Sequence, residues 1–126
     1  MFNYGVCCGS LNSLAKLISE WSVTKGFETD WRNVPEKLML VVTELSEAME
    51  EWRHIDEKDL IELTTGTPQL ASDWGKARIE DFSVEIADAI IRLLNLSASL
   101  GINIEAEIIA KMEKNEKRPY KHGKNC

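Results

Sequence analysis

Four carboxylates stand in two pairs, Glu44 with Glu47 and Glu85 with Asp88, each pair three residues apart. On a helix, residues three apart are surface neighbours, so each pair forms a two-carboxylate claw. Two claws on packed helices would gather four negative charges around one cavity. Such charges repel one another and cost stability unless a cation neutralises them. The chemistry that suits them is capture of a hard cation: Mg²⁺ takes oxygen ligands and usually keeps waters and substrate phosphates in the rest of its octahedron. A solvated helix face is the competing reading, because glutamate is a good helix former and ExxE is common on amphipathic helices. Asp88 also has Arg92 four residues on, an ordinary surface ion-pair spacing. A di-iron site is a third reading, since Glu51-Trp52-Arg53-His54 has the Glu-x-x-His spacing; it needs a second such motif, and the only other histidine, His122, has Pro119 three residues before it.

Helices must position these groups. The first pattern runs from about Leu11 to Lys25, with Leu11, Leu14, Ile18 and Trp21 at helical spacing, Ser10 as N-cap and Gly26 as stop. A loop containing Trp31 follows. The second helix is predicted from Pro35 to about His54; Leu38, Val41, Val42, Leu45, Met49 and Trp52 form its apolar stripe, and Glu44, Glu47 and Glu51 share another side. Residues 55–78 read as a short helix near Asp56–Leu63 and then a loop through Thr64–Pro68. The third main helix is expected from about Ile79 to Leu100, before Gly101. Phe82, Ile86, Ala89, Ile90, Leu93, Leu94 and Leu96 make it apolar around most of its circumference, which predicts a central position. Its polar stripe is narrow and holds Asp81, Glu85, Asp88, Arg92 and Asn95. The fourth helix is predicted from Asn103, as N-cap, to about Glu116, with Pro119 preventing continuation. The fold class is therefore all-α, an antiparallel bundle of about four main helices in a single domain over residues 1–126.

Composition narrows the function classes. At 126 residues, 44% hydrophobic and 29% charged, the chain sits near the globular average and carries no apolar run of the roughly 20 residues that span a bilayer. Cys7 and Cys8 are adjacent and Cys126 stands apart, which is neither a disulfide framework nor a zinc spacing, so a cytoplasmic protein is expected. A formal charge of −6 argues against nucleic acid as a partner, since that binding needs a basic footprint. The charge is uneven: Lys111, Lys114, Lys117, Arg118, Lys121 and Lys124 oppose only Glu113 and Glu116, giving a basic segment that continues through residues 117–126.

The ExxE and ExxD claws, followed by Lys111-Met112-Glu113-Lys114-Asn115-Glu116-Lys117-Arg118-Pro119-Tyr120-Lys121-His122-Gly123-Lys124, resemble the MazG-like all-α nucleoside triphosphate pyrophosphatases. Pro35-Glu36-Lys37-Leu38-Met39-Leu40, leading into Glu44-Leu45-Ser46-Glu47-Ala48, is similar to that family's approach to its first metal motif. The resemblance implies a homodimer or a dimer of dimers. It also implies Mg²⁺-dependent cleavage of nucleoside triphosphates, deoxynucleoside triphosphates foremost, between the α and β phosphates, for cleansing or control of the nucleotide pool. It makes Glu44, Glu47, Glu85 and Asp88 the Mg²⁺ ligands, with Mn²⁺ an acceptable substitute. It assigns Lys111, Asn115, Arg118, Tyr120 and Lys124 to the triphosphate or to closure over the nucleotide, and Trp31 to the base. Two departures stand out: Thr43 replaces an additional glutamate before the first claw, and residues 55–78 make the segment between the claws longer than usual.

Cleaving a phosphoanhydride requires neutralised phosphates, a water in line with the leaving pyrophosphate, and a group to take that water's proton. One or two Mg²⁺ ions on the four carboxylates would serve the first needs. Glu44 or Glu47 is the candidate base, and Glu51, on the same helix face, is a further candidate to ligate the metal or support its ligands. Two alternatives remain at this point: a non-catalytic helical dimerisation module, and a related pyrophosphohydrolase acting on phosphoribosyl-ATP.

Overall fold

Ser10 begins the first helix in extended backbone (φ −164°, ψ 159°), and its hydroxyl accepts a hydrogen bond from the Ser13 amide at 3.0 Å. That satisfies one of the amide donors a helix start leaves open. This computed structural model describes residues 10–119. They form five α-helices, α1 (Leu11–Thr24), α2 (Val34–Arg53), α3 (Glu57–Thr64), α4 (Asp73–Ser99) and α5 (Ile104–Glu116), with a 3₁₀ turn at Pro68–Leu70 and no strand among the described residues. The expectations on Cys7, Cys8 and Cys126 lie outside these residues. Among them, no single helix is long and apolar enough to cross a membrane.

The chain divides into two compact units, Met1–Asp30 with Leu94–Cys126, and Trp31–Leu93. In the first, α1 and α4 end alike. Gly26 (φ 83°) and Gly101 (φ 70°) adopt the left-handed conformation that glycine takes without a Cβ penalty. Gly26 N donates to Val23 O and Phe27 N to Ser22 O; Gly101 N donates to Ala98 O and Ile102 N to Ser97 O. Each pair of bonds is a Schellman closure, which satisfies carbonyls the helix end would otherwise leave open. Asn103 caps α5 through a bond accepted from Ala106 N. Asn12 ties the starts of α1 and α5 together: its amide donates to Glu105 Oε1 at 2.9 Å, its Nδ2 to Asn103 Oδ1 at 2.7 Å, and its Oδ1 accepts from Glu105 N at 3.3 Å.

In the second unit, α2 and α4 run antiparallel, since later residues of α2 meet earlier residues of α4. Trp52 packs on Phe82 with ring centroids 5.2 Å apart and planes tilted by 52°. Arg78 Nη1 donates to Glu51 at 2.9 Å, and Arg92 Nε donates to Glu44 at 2.7 Å. Leu45, Ala48, Met49 and Trp52 of α2, with Phe82 and Ile86 of α4, line an apolar cleft of about 320 Å³.

Two features differ from the sequence expectation. α4 starts at Asp73, six residues before Ile79, because a long-range contact builds its first turn. Buried Asp59 on α3 accepts from the Ser72 amide at 2.8 Å and from the Ser72 hydroxyl, and Ser72 Oγ in turn accepts from Gly75 N at 3.1 Å. A Cβ at Gly75 would sit 2.5 Å from Asp59 Oδ2, so only glycine fits beneath that carboxylate. Residues 55–72 thus form a cap on the start of α4, and residues 73–78 belong to the helix itself. Trp74 Nε1 adds a bond to His54 O at 3.2 Å, and Trp74 lies under the Arg78 guanidinium at 4.7 Å.

The second difference concerns which faces are covered. α2 buries Val41, Glu44 and Ala48, whereas Leu38, Val42, Leu45 and Met49 of its apolar stripe stay 45–56% exposed. On α4, Ala89, Leu94 and Leu96 are buried, but Val84, Ile90, Ile91 and Leu93 are exposed, so the central position expected for this helix is not reached within one chain.

Candidate metal centre

The two claws face each other within the second unit. Glu44 on α2, and Glu85 and Asp88 on α4, each offer a carboxylate oxygen within 4.8 Å of the others. Two helices achieve this. Glu85 and Asp88 share one side of α4 by their i, i+3 spacing, and the antiparallel α2 brings Glu44 to that level. Glu47, one turn beyond Glu44, is close enough to hydrogen-bond Glu85 but stands outside the tightest group.

The electrostatics are lopsided. Glu85 has its carboxyl pushed up to about 7, first by burial and then by hydrogen bonding and repulsion from Glu44 and Glu47. A proton on Glu85 lets the carboxylates share hydrogen bonds where ionised oxygens would repel. Glu44 moves the other way, held below the usual carboxylate range chiefly by its bond to Arg92, against the opposing effect of burial. The side chain of Glu44 is 10% exposed and that of Arg92 is 40% exposed. Arg92, whose spacing suggested a partnership with Asp88, therefore reaches across to α2.

Glu51 does not join the cluster. Seven residues beyond Glu44, it is displaced by about 10 Å along the helix axis and meets a different level of α4. There Arg78 bridges Glu51 and Asp81, with both contacts at 2.9 Å. Arg78 is a residue sequence reasoning missed. Its Nε is shielded and has no hydrogen-bond partner among the described residues. Asp59 was missed too, and its carboxyl is held low by the two hydrogen bonds from Ser72. Nothing local marks either residue, whereas Arg92 stood on the polar stripe of α4 beside Glu85 and Asp88.

The other candidates sit elsewhere. Trp31 is 75% exposed at the start of the second unit, with the Arg32 guanidinium 4.9 Å from its ring centroid. Lys111 and Asn115 are on α5 of the first unit, and Arg118 follows its end. Lys111 and Arg118 are exposed, while Asn115 Oδ1 is shielded and unbonded among the described residues. Tyr120 and Lys124 lie outside the described residues.

The donor set fits a hard cation. All the offered atoms are carboxylate oxygens, with neither sulfur nor imidazole among them, which suits Mg²⁺ or Mn²⁺. Oxygens at about 2.0–2.1 Å from an octahedral Mg²⁺ lie up to about 4.2 Å apart, so small side-chain rotations would close the present spacing. No family model matches the chain, and comparisons with curated proteins and with solved structures likewise return no match.

Proposed function

We propose that this chain is a Mg²⁺-dependent nucleoside triphosphate pyrophosphohydrolase that cleaves the α–β phosphoanhydride, with Glu44, Glu47, Glu85 and Asp88 holding the metal. The observation that carries the reading is the gathering of Glu44, Glu85 and Asp88 within 4.8 Å, with Glu85 held protonated toward neutral pH. A folded protein accumulates such repulsion at a cost, and a divalent cation relieves it. Bound there, Mg²⁺ would neutralise phosphate charge and polarise the anhydride. Glu44 and Asp88 orient the site from facing helices, and Glu47, at the edge of the cluster, is the group assigned to take the proton of the attacking water. The outer phosphates and the base are assigned to Lys111, Asn115, Arg118, Tyr120, Lys124 and Trp31 on the resemblance to MazG-like enzymes alone.

The same reading has the chain assembling with copies of itself. The half-exposed stripe Leu38, Val42, Leu45 and Met49 supports it, because contiguous apolar surface of that kind marks an interaction site. The decisive experiment is a panel of nucleoside triphosphates incubated with and without Mg²⁺, both products being identified. Pyrophosphate and monophosphate are expected only with the metal, and Glu47→Gln and Asp88→Asn should abolish turnover while keeping the helical circular-dichroism spectrum. Release of orthophosphate instead, or of neither product across the panel, would refute the activity.

A further inference from the structure

We propose that Arg92 is a resident counter-cation of the carboxylate cluster, and that a divalent ion binds by displacing its guanidinium from Glu44. The inference rests on the metal-site reading above and adds how that site is regulated. Glu44 is the most buried member of the cluster and cannot turn to water, so without an ion it needs a positive partner within the protein. Arg92 supplies that charge from 48 residues away, with Nε 2.7 Å from Glu44 Oε1, the short distance of a charge-assisted bond.

The two partners differ in freedom. Arg92 is 40% exposed and can swing into solvent without leaving a charge buried, whereas Glu44 must stay where it is. Arg92 also shares a face of α4 with Glu85 and Asp88, seven and four residues after them, so it occupies the ground an incoming ion must take. The metal-free site is thereby kept from full repulsion, and ion binding is weakened by the free energy of breaking one partly solvated ion pair. Removing the arginine should tighten divalent binding by about two- to fivefold.

Calorimetric titration of Mg²⁺ and of Mn²⁺ into the full wild-type chain, Arg92→Gln and Arg92→Lys tests this, with circular dichroism verifying the fold. Tighter binding by Arg92→Gln, with Arg92→Lys between it and wild type, is the expected result. In parallel, the Arg92 Nε–Hε NMR resonance of wild type should move as Mg²⁺ saturates, which settles the question without any variant. If wild type binds the ion, Arg92→Gln binds it equally or more weakly, and the resonance stays put, the displacement idea is overturned while the metal site stands. Absence of divalent binding in every form would remove the metal site and the inference together.

Discussion

Glu85 allows a quantitative prediction of how metal binding depends on pH. Its carboxyl is raised from 4.5 to about 7 by burial and by Glu44 and Glu47. In the metal-free protein this group leaves stability unaffected below pH 4.5, where folded and unfolded chains both carry the proton. As pH climbs from 4.5 to about 7 the unfolded chain releases that proton and the folded one keeps it, so stability falls, and above 7 it levels off. A divalent ion needs the carboxylate and must expel the proton. With a midpoint near 7, Glu85 is about ten-elevenths protonated at pH 6 and about one-eleventh at pH 8. Apparent Mg²⁺ affinity should therefore rise about tenfold between pH 6 and pH 8, with about 0.9 proton released per ion at pH 6 and about 0.1 at pH 8. Glu44, whose carboxyl is already held low, adds nothing in this window. Isothermal titration in two buffers of unequal ionisation enthalpy measures both quantities. Glu85→Gln should abolish the proton release and flatten the pH dependence. Equal affinity at pH 6 and pH 8 with no proton released by wild type would refute the role given to Glu85.

Other consequences can be checked separately. Gly75→Ala should lower stability in urea unfolding by about 1–3 kcal/mol, because its new methyl would meet Asp59 at 2.5–2.8 Å in a close-packed place. Asp59 is held low by Ser72, so its contribution is present above pH 3.8 and lost as pH falls through its lower folded value; Asp59→Asn should lose that part of the acid-induced unfolding signal, read by circular dichroism between pH 2 and pH 5. If the exposed stripe of α2 joins copies of the chain, Leu45→Arg should shift the mass measured by light scattering toward one chain while leaving helicity unchanged. Addition of Mg²⁺ should raise the melting temperature of wild type by mass action and leave that of Glu44→Gln/Asp88→Asn unmoved, as differential scanning fluorimetry would show.

Much of the architecture was legible residue by residue. Ser10, Gly26, Gly101 and Asn103 mark helix ends through local chemistry, a hydroxyl or amide near an open N–H and a glycine where φ is positive, so their roles need no knowledge of the rest of the fold. The all-helical class follows from 3.6-residue periodicity, and so does the placement of each carboxylate pair on one helix face. The start of α4 was not legible, because its cap depends on Asp59, thirteen residues before Ser72.

What the sequence by itself determined, then, is which residues share a helix face and where most helices stop, since both depend on neighbours within a turn or two. Only the tertiary structure decided which face meets which partner. It sent Glu51 to Arg78 and away from the cluster, gave Glu44 the guanidinium of Arg92, and turned α2 so that a glutamate is buried while a leucine and methionine stripe faces outward. Those outcomes depend on the antiparallel register of α2 against α4, a pairing between residues 27 and 48 positions apart, and helical periodicity carries no information about register.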